Sequence, residues 1–359
     1  MLSLPREFFS GTWNGCGHVQ GIALDTERGY VYYSFTTVLV KTDLEGKLVG
    51  SVKNLIGHLG CITYDTERNC LYGSLEYKHD SIGNGIAKQI GISLAQEDAF
   101  YLVKFDVERI DHPDMDAEKD GIMTAVYLYD VVDDYCAEDE VSGNLHRYGC
   151  SGIDGVALGP VFGTAADSPK KLMVAYGIYS DIMRHDNDHQ VLLQYDPDVF
   201  DHFGQPLLQK QLHHSGPQRA EQRYFVYTGN TTYGIQNLEY DAYMRGWFAA
   251  VYPGKKDAFL NPPLFLIDGS VSPIEKPLTD RNGESGLVLS LAKQGTADGN
   301  GIWGIPFPHG STGFFACGNG SYYVSHPQHA EKQYSSHVVR YIWNPNSSAL
   351  FCVDSTLTD

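Results

Sequence analysis

The sequence predicts an all-β fold, a single β-propeller of five four-stranded antiparallel blades around a central channel, with six blades as the alternative count. Three observations point there. A twelve-residue segment recurs almost unchanged near the N-terminus, two strand-like motifs alternate along the rest of the chain, and 38 glycines and 24 tyrosines occur with little helical periodicity. Repeated four-stranded modules that cannot bury their own faces stack radially into a propeller, and abundant Gly and Tyr suit tight turns between strands.

The repeat is Gly17-His18-Val19-Gln20-Gly21-Ile22-Ala23-Leu24-Asp25-Thr26-Glu27-Arg28, which returns as Gly57-His58-Leu59-Gly60-Cys61-Ile62-Thr63-Tyr64-Asp65-Thr66-Glu67-Arg68. A β-rich run follows each copy, Tyr30 to Phe35 and Cys70 to Glu76. Each copy therefore reads as strand, turn, strand, with Asp-Thr-Glu-Arg making local side-chain hydrogen bonds in the turn. Weaker copies of the first strand start near Gly152, Gly234 and Gly310. A third-strand motif recurs at Leu39 to Asp43, Leu102 to Asp106, Leu192 to Asp196, Leu264 to Asp268 and Val338 to Asn344. Both series count five and interleave in constant order, so one domain is expected over 1–359, with blades starting near 17, 57, 151, 233 and 309. Five blades in 359 residues leave about 72 residues each, more than the ~40–45 of a minimal blade. The surplus is read as loops, including 78–98, 180–189 and 270–308. The six-blade alternative rests on strand-like runs at Leu287 to Leu291 and Gly301 to Ile305.

The opening motif of these copies, with a later strand ending in Asp-x-x-Gly (Asp43 to Gly46), resembles propellers of the gluconolactonase/regucalcin and NHL-repeat kind. The resemblance implies the architecture first. It also implies a divalent ion at the channel mouth, held in that superfamily by Glu, Asn and Asp. The position resembling the first-blade Glu is Gln20 here, and two of the openings add a histidine.

Composition narrows the function. With 26 Lys+Arg against 44 Asp+Glu, the formal charge is −18, a field that repels phosphate backbones and anionic lipid, so neither nucleic acid nor membrane is expected as a partner. The first residues lack a basic and apolar leader, and seven cysteines without CxxC spacing suit reduced thiols. A cytoplasmic location is expected. Phosphate-loop and nucleophile-elbow patterns are missing, and Gly83-Asn84-Gly85 reads as a turn with no helix following. Nothing in the sequence speaks to protein partners.

Propeller geometry converts strand order into position. First-strand starts and the loops between second and third strands share one face, where ligands usually bind. This face collects nine of the 14 histidines, which is why a metal is the sharpest expectation. His18, His58 and His309 precede their strands by similar offsets, and Asp154 adds a carboxylate. Imidazoles with one carboxylate suit zinc, manganese or iron better than calcium, which favours oxygen shells. Such an ion polarises a substrate oxygen or ionises water. The blander reading, in which His18 and His58 only satisfy backbone groups between blades, stays open.

Glu76 and Asp154 are the candidate acid–base residues, since a carboxyl near the channel gains catalytic use if burial raises its pKa. Gln20, Gln236 and Asn237 would bind ligand with their amides, His185 and His189 from a loop over the mouth, and Trp303 by stacking on a sugar ring. The expected function is a metal-assisted hydrolase, lyase or isomerase acting on a small polar molecule such as a sugar, sugar acid or lactone. The alternative is a non-catalytic carbohydrate- or ligand-binding propeller.

Overall fold

The computed structural model describes residues 3–91, 97–138, 143–281 and 283–355. Five sheets stand around one axis, antiparallel from their innermost strands outward, and two of them take a parallel strand at the outer edge. The innermost strands are Val19–Asp25, His58–Asp65, Cys150–Pro160, Thr231–Asp241 and Phe314–Ala316, and each touches its neighbours in the ring, the last returning to the first. The second strands (Tyr30–Phe35, Cys70–Tyr77, Lys170–Ile178, Gly246–Pro253 and Ser321–Ala330) and the third strands follow outward. Blade 5 receives Glu7–Phe9 against Gln333–Trp343, in the register Glu7↔Val339, so chain start and chain end meet in one sheet and close the ring.

The repeated turn folds as its side chains dictate. Buried Asp25 accepts the amides of Glu27 and Arg28 at 3.1 and 2.9 Å, and buried Asp65 accepts those of Glu67 and Arg68 at 2.9 and 3.2 Å. Asp241 takes the Tyr243 amide in the same way at 3.0 Å. Each aspartate thus replaces water for the turn amides that the hairpin cannot pair. Between blades lie apolar layers. Trp247 is fully buried against Phe162 and Tyr240, and Phe248 packs with Phe314, Tyr322 and Phe351.

The six-blade alternative is not what forms. Ser285–Leu289 joins blade 3 as a parallel neighbour of Gln222–Tyr227, and Ile274–Pro277 extends the same sheet. Trp303–Gly304 makes only a two-residue ladder with Thr296–Ala297, tied to blade 4 through the Leu264↔Ile305 bridge. These runs had unpaired sheet edges available, and capping an edge buries backbone groups without opening the ring.

The 78–98 segment also departs from the expectation of a loop. A helix spans Ser81–Ile90, with Asp80 as N-cap accepting the amides of Ile82 and Gly83 at 3.0 and 2.9 Å and left-handed Gly91 closing it. The Gly83-Asn84-Gly85 triplet lies inside it. Glycine is needed at 83 because a Cβ there would stand 1.8 Å from the Lys78 carbonyl oxygen. Among the described residues no helix is long and apolar enough to cross a membrane.

Candidate functional site

One face of the ring opens into a cavity of about 400 Å³ lined by the starts of innermost strands, the ends of second strands and the helix Ser81–Ile90. His18, Gln20, His58, Glu76, Asp154 and Gln236 all line it. The repeat explains their convergence, since equivalent positions of successive blades point at the axis.

His58 and Glu76 are register partners on the first two strands of blade 2, and His58 Nδ1 lies 3.1 Å from Glu76 Oε1. Lys78 Nζ is 2.6 Å from the same oxygen and donates to the Ser151 carbonyl at 2.7 Å. Glu76 Oε2 accepts the Ile153 amide at 3.0 Å. Blade 2 is thereby stapled to the start of blade 3. Gly152 makes this approach possible, being left-handed at φ 120°, where a Cβ would sit 2.1 Å from Glu76 Oε2. Asp154 faces the group from blade 3, with Oδ1 3.8 Å from His58 Nδ1 and Oδ2 accepting from Gln236 Nε2 at 3.0 Å.

The electrostatics separate the two carboxyls. Burial alone would push the Glu76 pKa up, but Lys78 and His58 together hold it below the ordinary value. Burial dominates at Asp154 and, with the Glu76 charge adding to it against the attraction of His58, raises its pKa to about 7. His58 is drawn down by burial yet ends above the usual imidazole value because Glu76 and Asp154 favour its charged form. Burial likewise opposes the Lys78 charge, and Glu76, Asp80 and Asp154 outweigh it, so the ammonium persists. His18 stands at the mouth with Nε2 3.5 Å from Tyr252 OH, and its pKa is lowered by desolvation and by the charges of His58 and His329.

The remaining expectations distribute as follows. Gln20 donates to Thr36 Oγ1 at 3.0 Å. Asn237 sits one residue deeper than Gln236 and is buried, donating to the carbonyls of Gln20 and Ser311 at 2.7 and 3.0 Å and accepting from Cys61 Sγ at 3.5 Å, so it ties the blades together below the cavity. His309 lines an adjoining cavity that also contains His18. His189 is buried against Phe225 and Tyr227 within blade 3, His185 is exposed in the preceding loop, and Trp303 lies half-buried in the blade-4 edge hairpin; none of the three lines either cavity. Neighbouring Arg184 reaches Asp186 and the carbonyls of Leu145 and His146, which fastens that loop down beside blade 3.

Sequence reasoning did not single out Lys78, Ser151, Tyr233, Tyr252 or Tyr334, all of which line the cavity, nor the wall made by Ser81, Ile82, Gly85 and Ile86. Asp80 eleven residues before Gly91, with Ile82 and Ile86 one helical turn apart between them, is the pattern that marks the helix.

The expected metal was to be held by His18, His58, His309 and Asp154. The four donors are divided between two cavities. His58 Nδ1 points at Glu76, the Lys78 ammonium already lies against that carboxylate, and His309 belongs to the neighbouring cavity. Among the described residues no group of three or more His, Cys, Asp or Glu side chains is arranged to hold a metal ion.

No protein-family model and no curated protein matches the chain. Among solved structures it is similar to the soluble aldose sugar dehydrogenase of Escherichia coli, at 8% identity and a TM-score of 0.36 over 94% of this chain and 99% of that one. It is also similar to a Bacteroides caccae protein of unknown function, at 9% identity and a TM-score of 0.27 over 77% and 87% of the two chains. Likeness at this level carries no argument about activity.

Proposed function

We propose that this propeller is an acid–base enzyme for a small, uncharged, polyhydroxylated substrate, of the hydrolase, lyase or isomerase class, working with a resident lysine in place of a metal. The observation that carries the reading is the pairing of Asp154, raised to about 7, with His58 across 3.8 Å in an open cavity, while Glu76 behind them stays ionised. Two carboxyls pushed apart in pKa divide the labour of proton transfer. A group titrating near neutrality is the most effective donor and acceptor at neutral pH.

In this reading Asp154 is the catalytic residue that gives a proton to, or takes one from, a substrate oxygen or carbon. His58 stands beside it as second proton carrier and stabilises negative charge as it develops. Glu76 is a positioning residue, holding the His58 ring through Nδ1. Lys78 balances the Glu76 charge and supplies the field a divalent ion would otherwise provide. Gln20, Gln236 and Thr36 offer amide and hydroxyl contacts for substrate hydroxyls, while Ile82 and Ile86 give the cavity an apolar wall that limits water.

The test is a turnover screen with lactones and neutral glycosides, run on the parent protein, on Asp154→Asn and on metal-stripped protein. A drop of about 10²-fold or more in Asp154→Asn is expected from loss of a proton carrier, with full rate after chelation. A chelator-sensitive rate restored by zinc, manganese or iron would overturn the lysine assignment. Binding of sugars with no turnover of any class would leave a non-catalytic receptor instead.

A further inference from the structure

Beside the acid–base cavity lies a second one of about 560 Å³, and the two share His18, Tyr252 and Tyr334. Its outer wall comes from an overhang in blade 5. The innermost strand Phe314–Ala316 pairs only with Tyr322, Tyr323 and Val324, whereas the hairpin Ser321–Ala330 and Gln333–Trp343 stays paired out to Ala330↔Gln333. Residues beyond Ser325 therefore rise past the ring and stand over its face. Pro327, Gln328 and His329 are exposed there and line the cavity, with His329 stacked on Tyr334 at 6.3 Å between ring centroids.

The chemistry of this compartment differs from that of its neighbour. Among the described residues no Asp, Glu, Lys or Arg lines it, although the chain carries 70 such residues among 359. Its lining is imidazole and phenol rings interleaved with the hydroxyls of Ser311, Thr312 and Ser325, the Gln328 amide and two proline rings. Burial lowers the His309 pKa, which favours the neutral ring. An anionic group entering it meets no fixed cation and a strongly negative protein. A cationic one meets no carboxylate. Flat faces with neutral donors and acceptors at their edges match an uncharged ring that carries hydroxyls on its rim and C–H groups on its faces.

We infer that this second cavity is a subsite for the distal ring of a two-unit neutral glycoside, whose reacting unit occupies the cavity of His58, Glu76 and Asp154. The bond joining the two units then passes between His18, Tyr252 and Tyr334, the residues common to both compartments. The inference rests on the function proposed above, and it narrows the substrate from a single small polar molecule to one of disaccharide length.

The test measures binding by calorimetry and ligand-observed NMR. The probes are neutral disaccharides (cellobiose, maltose, lactose, melibiose) set against glucose and galactose and their methyl glycosides. At least one disaccharide is expected to bind roughly tenfold tighter than its component monosaccharides. Two substitutions on the exposed hairpin probe the subsite without touching the core. Gln328→Trp fills the cavity and His329→Ala removes a ring, and both are expected to erase the disaccharide advantage while monosaccharide affinity stays within about twofold. Monosaccharides bound as tightly as every disaccharide would sink the subsite and leave the acid–base reading standing. Binding of no sugar of either length would sink both.

Discussion

Lys78 Nζ lies 2.6 Å from Glu76 Oε1 in a pocket wall where both side chains are almost wholly shielded, at 5% and 1% exposure. The pair is the hub between blades 2 and 3, because the same lysine holds the Ser151 carbonyl and the same carboxylate holds the Ile153 amide. A shielded ion pair contributes little by itself, but removing one partner strands the other charge. Lys78→Met is therefore expected to lose about 3–5 kcal/mol of stability, with Lys78→Met/Glu76→Gln regaining much of it. Urea denaturation of the single and double variants checks this, and equal losses in both would show that the lysine acts by packing alone.

The Asp154 pKa near 7 has a consequence for rate. If the protonated carboxyl is the working form, kcat/KM falls as pH rises through about 7 and that limb is lost in Asp154→Asn, whose residual rate follows His58 alone. If the ionised form works, the limb has the opposite slope. A pH–rate profile unchanged by the substitution would remove Asp154 from the reaction.

His189 predicts acid sensitivity. Its imidazole is buried against Tyr227 and Phe225, and burial lowers its pKa from 6.5 to about 4. A depressed folded pKa gives stability that is whole above 6.5 and is lost as pH falls through 4, because the unfolded chain takes up the proton first. His189→Phe keeps the ring packing and removes the proton uptake. Its melting temperature relative to the parent should rise between pH 6.5 and 4, and a constant difference would show that the ring titrates normally.

Glu239 predicts the reverse slope between pH 4.5 and 8. It accepts the Ala316 amide at 3.0 Å, and burial raises its pKa to about 8, with Asp241 adding to the shift. A raised folded pKa gives stability present below 4.5 and lost by pH 8, since the unfolded carboxyl ionises first. Glu239→Gln should therefore gain on the parent between pH 4.5 and 8 and hold a fixed margin above that, as followed by thermal melts across the range.

Gly152→Ala places a methyl 2.1 Å from Glu76 Oε2 at a φ of 120°. The backbone cost is about 1–3 kcal/mol, and the displaced carboxylate releases His58. Activity is expected to fall further than stability, read as kcat on protein confirmed folded by circular dichroism. A variant with parental kcat would argue that Glu76 does not need its present position.

Much of the site could be read from the repeat because the chain marks equivalent positions with equivalent residues. His18 and His58 occupy the same offset, Gln20 lies two residues on, and Asp154 and Gln236 hold comparable places in weaker copies, so radial packing brings five of these side chains to one cavity. His309 lies four residues before its motif glycine Gly313, where His18 lies three before Gly21, and it lines the next compartment. The helix Ser81–Ile90 was hidden because two glycines in its first turns have poor helix propensity, and the Asp80 cap, accepting the amides of Ile82 and Gly83, offsets that preference.

The order of strands and the Asp-centred turns are local and periodic, so the amino-acid sequence determines them unaided, while it leaves the blade count between five and six. Which strand-like runs merely cap an edge, which loop residue becomes an internal cation and which carboxyl keeps its proton are decided in three dimensions. Each depends on the distance between groups far apart in the chain, as Glu76 is from Ile153, and on how much water their surroundings exclude.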